Sequence, residues 1–280
     1  MENPQLSTLF KIDGVGAASG LFYKDKQLFI ISDNSSFLYN FNTQTALLDK
    51  IPLADHIRDS ISKAKKPDFE ALAFYNDSLY LFGSGSKERR NRLFRVDALT
   101  KQLTDIIDLT DLYKAMQESA QLAESDFNIE AALFDGSCWL LFNRGNKSSN
   151  KNIIFTIDDI TLNTGFKINY FSYNLPEINK VSSSFTDAVI LEGKIYFLAA
   201  AEDTASTFFD GDIAGSLIGR IDRRTMALEW TNKISDDSKY EGITLYSNTE
   251  DKLEFLICED NDTEEMVSVI YKLFLEKVLF

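Results

Sequence analysis

The 280-residue sequence has few of the residues on which several common kinds of protein depend. It contains one histidine, His56, two cysteines and four prolines, and no run approaches the 18 apolar residues that a membrane-spanning helix needs. A single histidine allows a Ser-His-Asp triad in only one way, and no Gly-x-Ser-x-Gly motif is present, so we expect no nucleophilic catalysis. Four prolines and 13 glycines leave no linker rich in either residue, so we predict one domain over residues 1–280.

The two cysteines, Cys138 and Cys258, lie in apolar segments far apart in the sequence. A disulfide or metal framework usually has more cysteines at shorter spacing, so both are predicted to be buried free thiols in a reducing compartment. The N-terminus has an early acid and a proline in place of a basic stretch followed by an apolar run. We therefore expect no secretory signal and a cytoplasmic protein.

Positive charge is also scarce, because 29 Lys and Arg residues face 43 Asp and Glu residues, and the net charge is −14. Affinity for nucleic acid comes largely from cationic contacts to phosphate, and anionic membranes also attract basic surfaces. We therefore expect no nucleic acid and no membrane as partner, whereas a protein partner stays open. The same charge favours the binding of cations.

The sequence does contain a fivefold repeat, at intervals of about 50 to 60 residues. Each unit opens with a small or acidic residue on an apolar strand and continues through a turn, a second apolar strand and a polar loop. A third strand and usually a fourth follow, and such four-stranded units arranged radially form a β-propeller. We therefore predict an all-β, five-bladed β-propeller whose units open at Ser19, Glu70, Glu130, Asp187 and Glu241.

The two ends of the chain are predicted to close this ring. The last unit lacks a fourth strand, and residues 6–12 form a strand without a unit of its own. Pairing of that strand with the one containing Tyr271 would remove two exposed edges. Two connections have apolar residues at helical spacing and predict short helices, within residues 53–66 and 109–116.

In a propeller the five opening residues should lie near one mouth of the central channel, beside the loops between second and third strands. Carboxylates so close together require a cation or shared protons. The ring offers oxygen ligands without histidine or thiolate, which favours calcium. We predict a calcium site formed by Ser19, Glu70, Glu130, Asp187 and Glu241. In the alternative interpretation, these side chains bind inner-strand amides and ordered water.

The loop that follows the second strand of unit two, Gly83-Ser-Gly-Ser-Lys-Glu-Arg-Arg-Asn-Arg, is basic. Arg144 and Lys147 occupy the equivalent loop of unit three. These cations and nearby hydroxyls predict a site for a small anionic ligand, formed by Ser84, Ser86, Lys87, Arg89, Arg90, Arg92 and Arg144. The strand–loop–helix context of a phosphate-binding P-loop is absent. In the alternative, the arginines pair with acids on adjacent loops, such as Asp33 and Glu88.

The equivalent loops of units four and five are acidic. They predict either a solvated acidic rim or a second cation site, and their acids are Glu202, Asp203, Asp210, Asp212, Glu259, Asp260, Asp262, Glu264 and Glu265.

The segment Pro67-Asp-Phe-Glu-Ala-Leu-Ala-Phe, together with the basic loop, resembles an uncharacterised bacterial propeller family related to phytase- and esterase-like propellers. The five units and the order Ser, Glu, Glu, Asp, Glu also resemble the calcium-activated nucleotidases (apyrases), which are five-bladed and hold one calcium ion. This resemblance implies Ser19, Glu70, Glu130 and Glu241 as calcium ligands. Asp187 departs from the nucleotidase pattern, which has a hydroxyl at that position.

Three functions agree with these features. The first is a cation-dependent hydrolase of phosphoesters or phosphoanhydrides, with the basic loops binding phosphate. The second, which ranks level with it, is a binding or scaffold propeller with a structural ion. The third and weakest is a glycosidase-like pair of axial carboxylates, because the loops offer few aromatic residues besides Phe208 and Phe209.

Overall fold

The computed structural model describes residues 4–54, 58–62, 64–145, 151–162, 165–203, 211–260 and 265–277. These residues form five antiparallel sheets of the kind that make up propeller blades. The predicted five-bladed β-propeller is confirmed. Among the described residues, no helix is long and apolar enough to span a membrane.

The strands of each blade follow one another in chain order from the channel outwards, except that a short extra strand precedes the innermost strand of blade 4 and the N-terminal strand completes blade 5. The first strand of the chain, β1 (Gln5–Asp13), belongs to the last blade. Blade 1 contains β2 (Ala18–Lys24), β3 (Gln27–Ser32), β4 (Phe37–Asn42) and β5 (Leu48–Pro52). Blade 2 contains β6 (Phe69–Tyr75), β7 (Ser78–Gly83), β8 (Arg92–Asp97) and β9 (Gln102–Asp108).

Blades 3 to 5 repeat this order. Blade 3 contains β10 (Ile129–Phe134), β11 (Trp139–Asn143), β12 (Asn152–Ile157) and β13 (Ile168–Tyr173). Blade 4 contains the short β14 (Glu177–Ile178), then β15 (Val181–Leu191), β16 (Lys194–Asp203), β17 (Asp212–Asp222) and β18 (Leu228–Ser235). Blade 5 contains β19 (Tyr240–Asn248), β20 (Lys252–Glu259), β21 (Val267–Glu276) and the N-terminal β1.

The predicted closure of the ring is confirmed. Strand β1 pairs antiparallel with β21 and places Thr8 opposite Tyr271, so the N-terminus supplies the outermost strand of blade 5. The innermost strands β2, β6, β10, β15 and β19 contact one another in this order, and β19 contacts β2. These five strands therefore form the wall of the central channel.

Neighbouring blades cover each other, which explains the apolar second strands. All residues of β11 are buried, and Trp139 packs edge-on against Tyr80 and Phe82 of blade 2, with ring centroids 5.0 and 5.4 Å apart. The outermost strand β9 is mostly exposed. Burial on both faces requires a continuous apolar strand, whereas an outer strand needs only scattered apolar residues.

The helix predicted around residues 109–116 is confirmed as α1 (Thr110–Ala120), which buries Leu112, Tyr113 and Met116. Two single-turn 3₁₀ helices are also present, at Glu88–Arg90 and Glu124–Asp126.

The helix predicted within residues 53–66 is wrong for the described part of that segment, which contains no helix. The amide of Leu53 donates to the Ser36 carbonyl at 2.9 Å, and the amide of Ile61 donates to the Asn34 carbonyl at 2.7 Å. These hydrogen bonds to the loop between β3 and β4 occupy backbone amides that a helix would need for its own internal hydrogen bonds. His56 lies outside the described residues.

Both cysteines are free, as predicted. Cys258 is buried, whereas Cys138 is only half-buried, because it lies beside the turn between β10 and β11.

Candidate functional site

A β-bulge occurs near the start of every innermost strand. Pairing with the second strand shifts register between Ala18 and Gly20 in blade 1, and the same shift recurs in the other four blades. Each shift leaves one residue of the innermost strand unpaired. The bulge changes the direction in which the side chain of that residue points. These five residues, which we call the bulge ring, are Ser19, Glu70, Glu130, Thr186 and Glu241.

Thr186 takes the position in blade 4 that the sequence interpretation gave to Asp187. The Thr186 hydroxyl donates to the Tyr240 carbonyl at 2.8 Å, and the Ser19 hydroxyl donates to the Phe69 carbonyl at 2.6 Å. Each acceptor immediately precedes the bulge glutamate of the next blade. The two hydroxyls therefore occupy equivalent places.

Asp187 makes different contacts. Its Oδ1 accepts from its neighbour's amide, Ala188 N, at 2.8 Å, and its Oδ2 accepts from Ile243 N of β19 at 2.7 Å. Both carboxylate oxygens thus bind backbone amides, as the alternative interpretation of the ring expected.

The hydrogen-bond directions make the bulge ring a set of acceptors. The hydroxyl hydrogens of Ser19 and Thr186 are donated to carbonyl groups. The two hydroxyl oxygens can therefore act towards other groups only as acceptors, through their lone pairs. The glutamates of the ring accept hydrogen bonds when ionised. Such a set suits a cation.

Four cations lie close to this ring, three of them buried (Lys66, Arg90 and Lys239) and one, Arg144, partly buried. Lys66 pairs with Asp33 and lies 2.9 Å from Asp68 Oδ1, while Arg90 lies 2.6 Å from Asp68 Oδ2. These pairs connect the loop between β3 and β4 with the start of β6 and the loop between β7 and β8.

The other two cations lie on the opposite half of the ring. Arg144 pairs with Glu202 and lies 3.5 Å from Glu130. The Lys239 ammonium lies 2.8 Å from Glu241, 3.5 Å from Asp260 and 3.8 Å from Glu202. Each blade therefore contributes a charged residue from the end of its second strand or from the loop between its second and third strands, on the face that the propeller topology predicts.

Carboxylates outnumber cations in this network, whose residues we call the mouth network. Its four cations are Lys66, Arg90, Arg144 and Lys239. Its seven carboxylates are Asp33, Asp68, Glu70, Glu130, Glu202, Glu241 and Asp260. If all are ionised, the mouth network carries a net charge of −3.

The pKa values of the three ring glutamates are raised chiefly by burial. Burial and the charges of Asp68 and Glu130 raise the pKa of Glu70 well above its ordinary value. Burial also raises the pKa of Glu130 and Glu241, although Arg144 and Lys239 respectively oppose the rise. In Glu202 burial acts in the same direction, but Arg144 and Lys239 outweigh it and lower the pKa.

We expect the unfolding free energy of the ion-free protein to fall as pH rises above the ordinary glutamate pKa of 4.5. The raised pKa values of Glu70, Glu130 and Glu241 mean that the folded chain holds more protons than the unfolded chain above that pH. Stability is therefore lost as those protons leave. Urea denaturation at several pH values in chelator measures the slope, and an unfolding free energy that stays constant or rises would contradict this expectation.

A match with a family of proteins agrees with this architecture. The model of a family of unknown function, DUF6929, matches residues 14–275. The chain belongs to that family. No curated protein matches the sequence.

The DUF6929 chain is also similar in structure to two propeller enzymes of known structure. Glutaminyl cyclase from Myxococcus xanthus is 10% identical with a TM-score of 0.55, and the match covers 98% of this chain and 97% of the enzyme. The PQQ-bound aldose sugar dehydrogenase from Streptomyces coelicolor is 10% identical with a TM-score of 0.51, over 98% and 99% of the two chains. Similarity at this identity shows the fold alone.

The family match agrees with the resemblance to an uncharacterised propeller family. The relation to phytases, esterases and calcium-activated nucleotidases is not shown by these comparisons.

The predicted anion site of the DUF6929 chain divides into two groups. Arg90 and Arg144 are buried against carboxylates, and the hydroxyls of Ser84 and Ser86 contact Asp68. The remaining predicted residues are exposed: Lys87, Arg89 and Arg92. The buried arginines thus pair with acids, as the alternative expected, although the partners are Asp68, Glu130 and Glu202.

The glycine between Ser84 and Ser86 has a packing role. Gly85 adopts φ +75°, and a Cβ atom there would lie 2.6 Å from Phe127 and 2.7 Å from Tyr113. Only glycine lets this loop lie against the two rings. The Gly-Ser-Gly-Ser sequence therefore has a structural cause that does not involve phosphate.

Two residues of the predicted acidic rim, Glu202 and Asp260, belong to the mouth network, because they form ion pairs with its cations. Glu259 accepts the Tyr271 hydroxyl at 2.7 Å. Several predicted residues of these loops lie outside the described residues, namely Lys147, Phe208, Phe209, Asp210, Asp262 and Glu264.

Sequence reasoning missed Lys66, Asp68 and Lys239. A signal for two of them was present, because a polar residue lies two positions before each ring glutamate: Asp68 before Glu70, Asn128 before Glu130 and Lys239 before Glu241. These positions lie at the entry to the innermost strands, which would have indicated a place beside the ring.

Proposed function

We propose that this protein binds a divalent cation of the calcium type at the bulge ring, and that the mouth of the channel is a cation-dependent binding face. One observation carries the proposal: both ring hydroxyls donate their hydrogens to the next blade and keep only acceptor lone pairs. Three glutamates complete a set with one acceptor side chain from each blade, and the five candidate ligands are Ser19, Glu70, Glu130, Thr186 and Glu241.

The chemistry of the ring favours calcium over a transition metal. Calcium takes 6–8 oxygen ligands and tolerates irregular geometry, so five protein oxygens and water would satisfy it. The nearby thiol of Cys258 donates to the Ala18 carbonyl at 3.4 Å and is protonated, because burial raises its pKa well above the ordinary value. A soft thiolate ligand is therefore not offered.

The charge of the mouth network supports the same proposal. With every group ionised the network would carry a net charge of −3 in a buried site, and a divalent ion would offset two of those charges. An anionic ligand would instead add to the excess.

Binding is better supported than hydrolysis of phosphate esters. A hydrolase needs cations that contact the phosphoryl group, and the two buried arginines of the predicted anion site already pair with carboxylates. The two propeller enzymes above catalyse different reactions on a similar fold, so fold similarity does not favour one chemistry.

We expect calcium to raise the melting temperature and a chelator to lower it. An ion that binds only the folded state stabilises it by about 2.7 kcal/mol at a hundredfold excess over Kd. Glu130→Gln keeps the shape and removes one ligand charge, so it should reduce the calcium increment. Glu118→Gln, which makes the same change on the exposed face of α1, is the control.

A second pair of variants distinguishes Thr186 from Asp187 as the ligand of blade 4. Thr186→Val removes the acceptor oxygen and should reduce the calcium increment. Asp187→Asn should lower stability both with and without calcium, because it chiefly disturbs the hydrogen bonds from Ala188 N and Ile243 N. If wild-type protein melts identically in calcium and chelator, and native mass spectrometry finds no ion, the proposal fails.

A further inference from the structure

A second group of oxygens lies beside the bulge ring. One carboxylate oxygen from each of Asp33, Asp68 and Glu70 lies within 4.8 Å of the other two. This group already holds a cation from the chain itself, because the ammonium of Lys66 pairs with Asp33 and lies 2.9 Å from Asp68 Oδ1.

The main chain holds these carboxylates together independently of Lys66. The Asp68 amide donates to the Asp33 carbonyl at 2.9 Å, and the Ser84 amide donates to the Asp68 carbonyl at 3.0 Å. Glu70 is positioned by the bulge of β6. These main-chain positions do not require the Lys66 side chain.

The ammonium does not use all the acceptors of the group. Asp33 Oδ1 is buried and has no hydrogen-bond partner within the described part of the chain. No hydrogen bond to the Glu70 carboxylate is found among the same residues. A divalent ion can contact several carboxylates at once, whereas an ammonium group has only three hydrogens to share.

We propose that Asp33, Asp68 and Glu70 form a second cation site, for which the tethered ammonium of Lys66 and a divalent ion compete. Lys66, together with Arg90 on Asp68 Oδ2, offsets part of the negative charge of the three acids when no ion is bound, and Lys66 lowers the affinity of this site for metal. The site shares Glu70 with the bulge ring but does not depend on an ion being bound there.

The test is the number of Mn²⁺ ions bound per chain, measured by electron paramagnetic resonance. Lys66→Met removes the ammonium and keeps an unbranched side chain. This variant should bind one more Mn²⁺ ion than the wild type. Its affinity for that additional ion should be at least about tenfold higher than the affinity of the wild type for any second ion, because a competing unit charge has been removed. Lys66→Arg keeps the charge and should match the wild type, and adding Asp33→Asn to Lys66→Met should abolish the extra site.

The outcomes separate this inference from the proposed function. No ion in the wild type and one in Lys66→Met would contradict the bulge-ring site and support the second site. Equal number and affinity in both proteins, with Lys66→Met folded by circular dichroism, would overturn the inference. If Lys66→Met is too unstable to titrate, Lys66→Ala leaves room for a free cation. The melting temperature of Lys66→Ala should then be higher in methylammonium or Mn²⁺ than in tetramethylammonium at the same concentration, which is the control. Equal melting temperatures would overturn the inference.

Discussion

Replacement of Arg144 by methionine is expected to lower the unfolding free energy by about 3–5 kcal/mol at pH 7, since it leaves buried carboxylates without their partner. The Arg144 side chain is 13% exposed, and its partners Glu130 and Glu202 are 4% and 5% exposed. Burial alone would lower the Arg144 pKa, but the charges of Glu130 and Glu202 outweigh it and raise the pKa. Urea denaturation measures the loss.

Two further variants make this prediction specific. The exposed Arg89→Met should change the unfolding free energy by less than about 0.5 kcal/mol. Adding Glu202→Gln to Arg144→Met should recover part of the loss, because one unpaired charge is removed. The loss should also shrink near pH 5, where the carboxylates take up protons more easily. A loss below about 1 kcal/mol at pH 7 would show that the pair does not hold this half of the mouth network together.

Deletion of residues 1–13 is expected to abolish cooperative folding. The deletion removes β1, exposes the edge of β21 and uncovers the core beneath Ile12, which is 2% exposed. The loss should be comparable with the whole stability of an ordinary domain, about 5–15 kcal/mol. Circular dichroism melting and size-exclusion chromatography should show an aggregated or partly folded chain.

A complementing peptide is the control for that deletion. A synthetic peptide of residues 4–14 should restore a melting transition to the truncated chain, because β21 presents its free edge. A scrambled peptide of the same composition should not. A truncated protein that melts like the full chain would show that closure by β1 is dispensable.

The sequence predicted the blade plan because its signals are local. Second strands such as Trp139–Asn143 are continuous apolar runs, since blades cover both of their faces, and turn residues separate them from the first strands. The last unit lacked a fourth strand and the N-terminal strand lacked a unit, which together predicted the pairing of β1 with β21. The spacing of Leu112, Tyr113 and Met116 likewise predicted α1, because the buried side of a helix repeats every three or four residues.

Predictions that depended on long-range contacts were incomplete. The apolar spacing within residues 53–66 suggested a helix, but bonds from Leu53 and Ile61 to the loop of blade 1 take the amides that a helix would use. The sequence interpretation named Asp187 and did not point to Thr186, because nothing local in the sequence indicates where a strand bulges. A shift of one residue on a strand turns the side chain to the other face, so only the pairing of β15 with β16 decides between them.

The sequence by itself determined the number of blades, the closure of the ring and the face on which the polar residues gather, because hydrophobic pattern and turn chemistry specify these. Only the tertiary structure decided which charges neutralise one another. Lys66 and Arg144 each contact a carboxylate more than 30 residues away in the sequence, Asp33 and Glu202 respectively. Such pairs form where blades meet, and the long side chains of lysine and arginine reach several acids, so their partners depend on the packing of the whole ring.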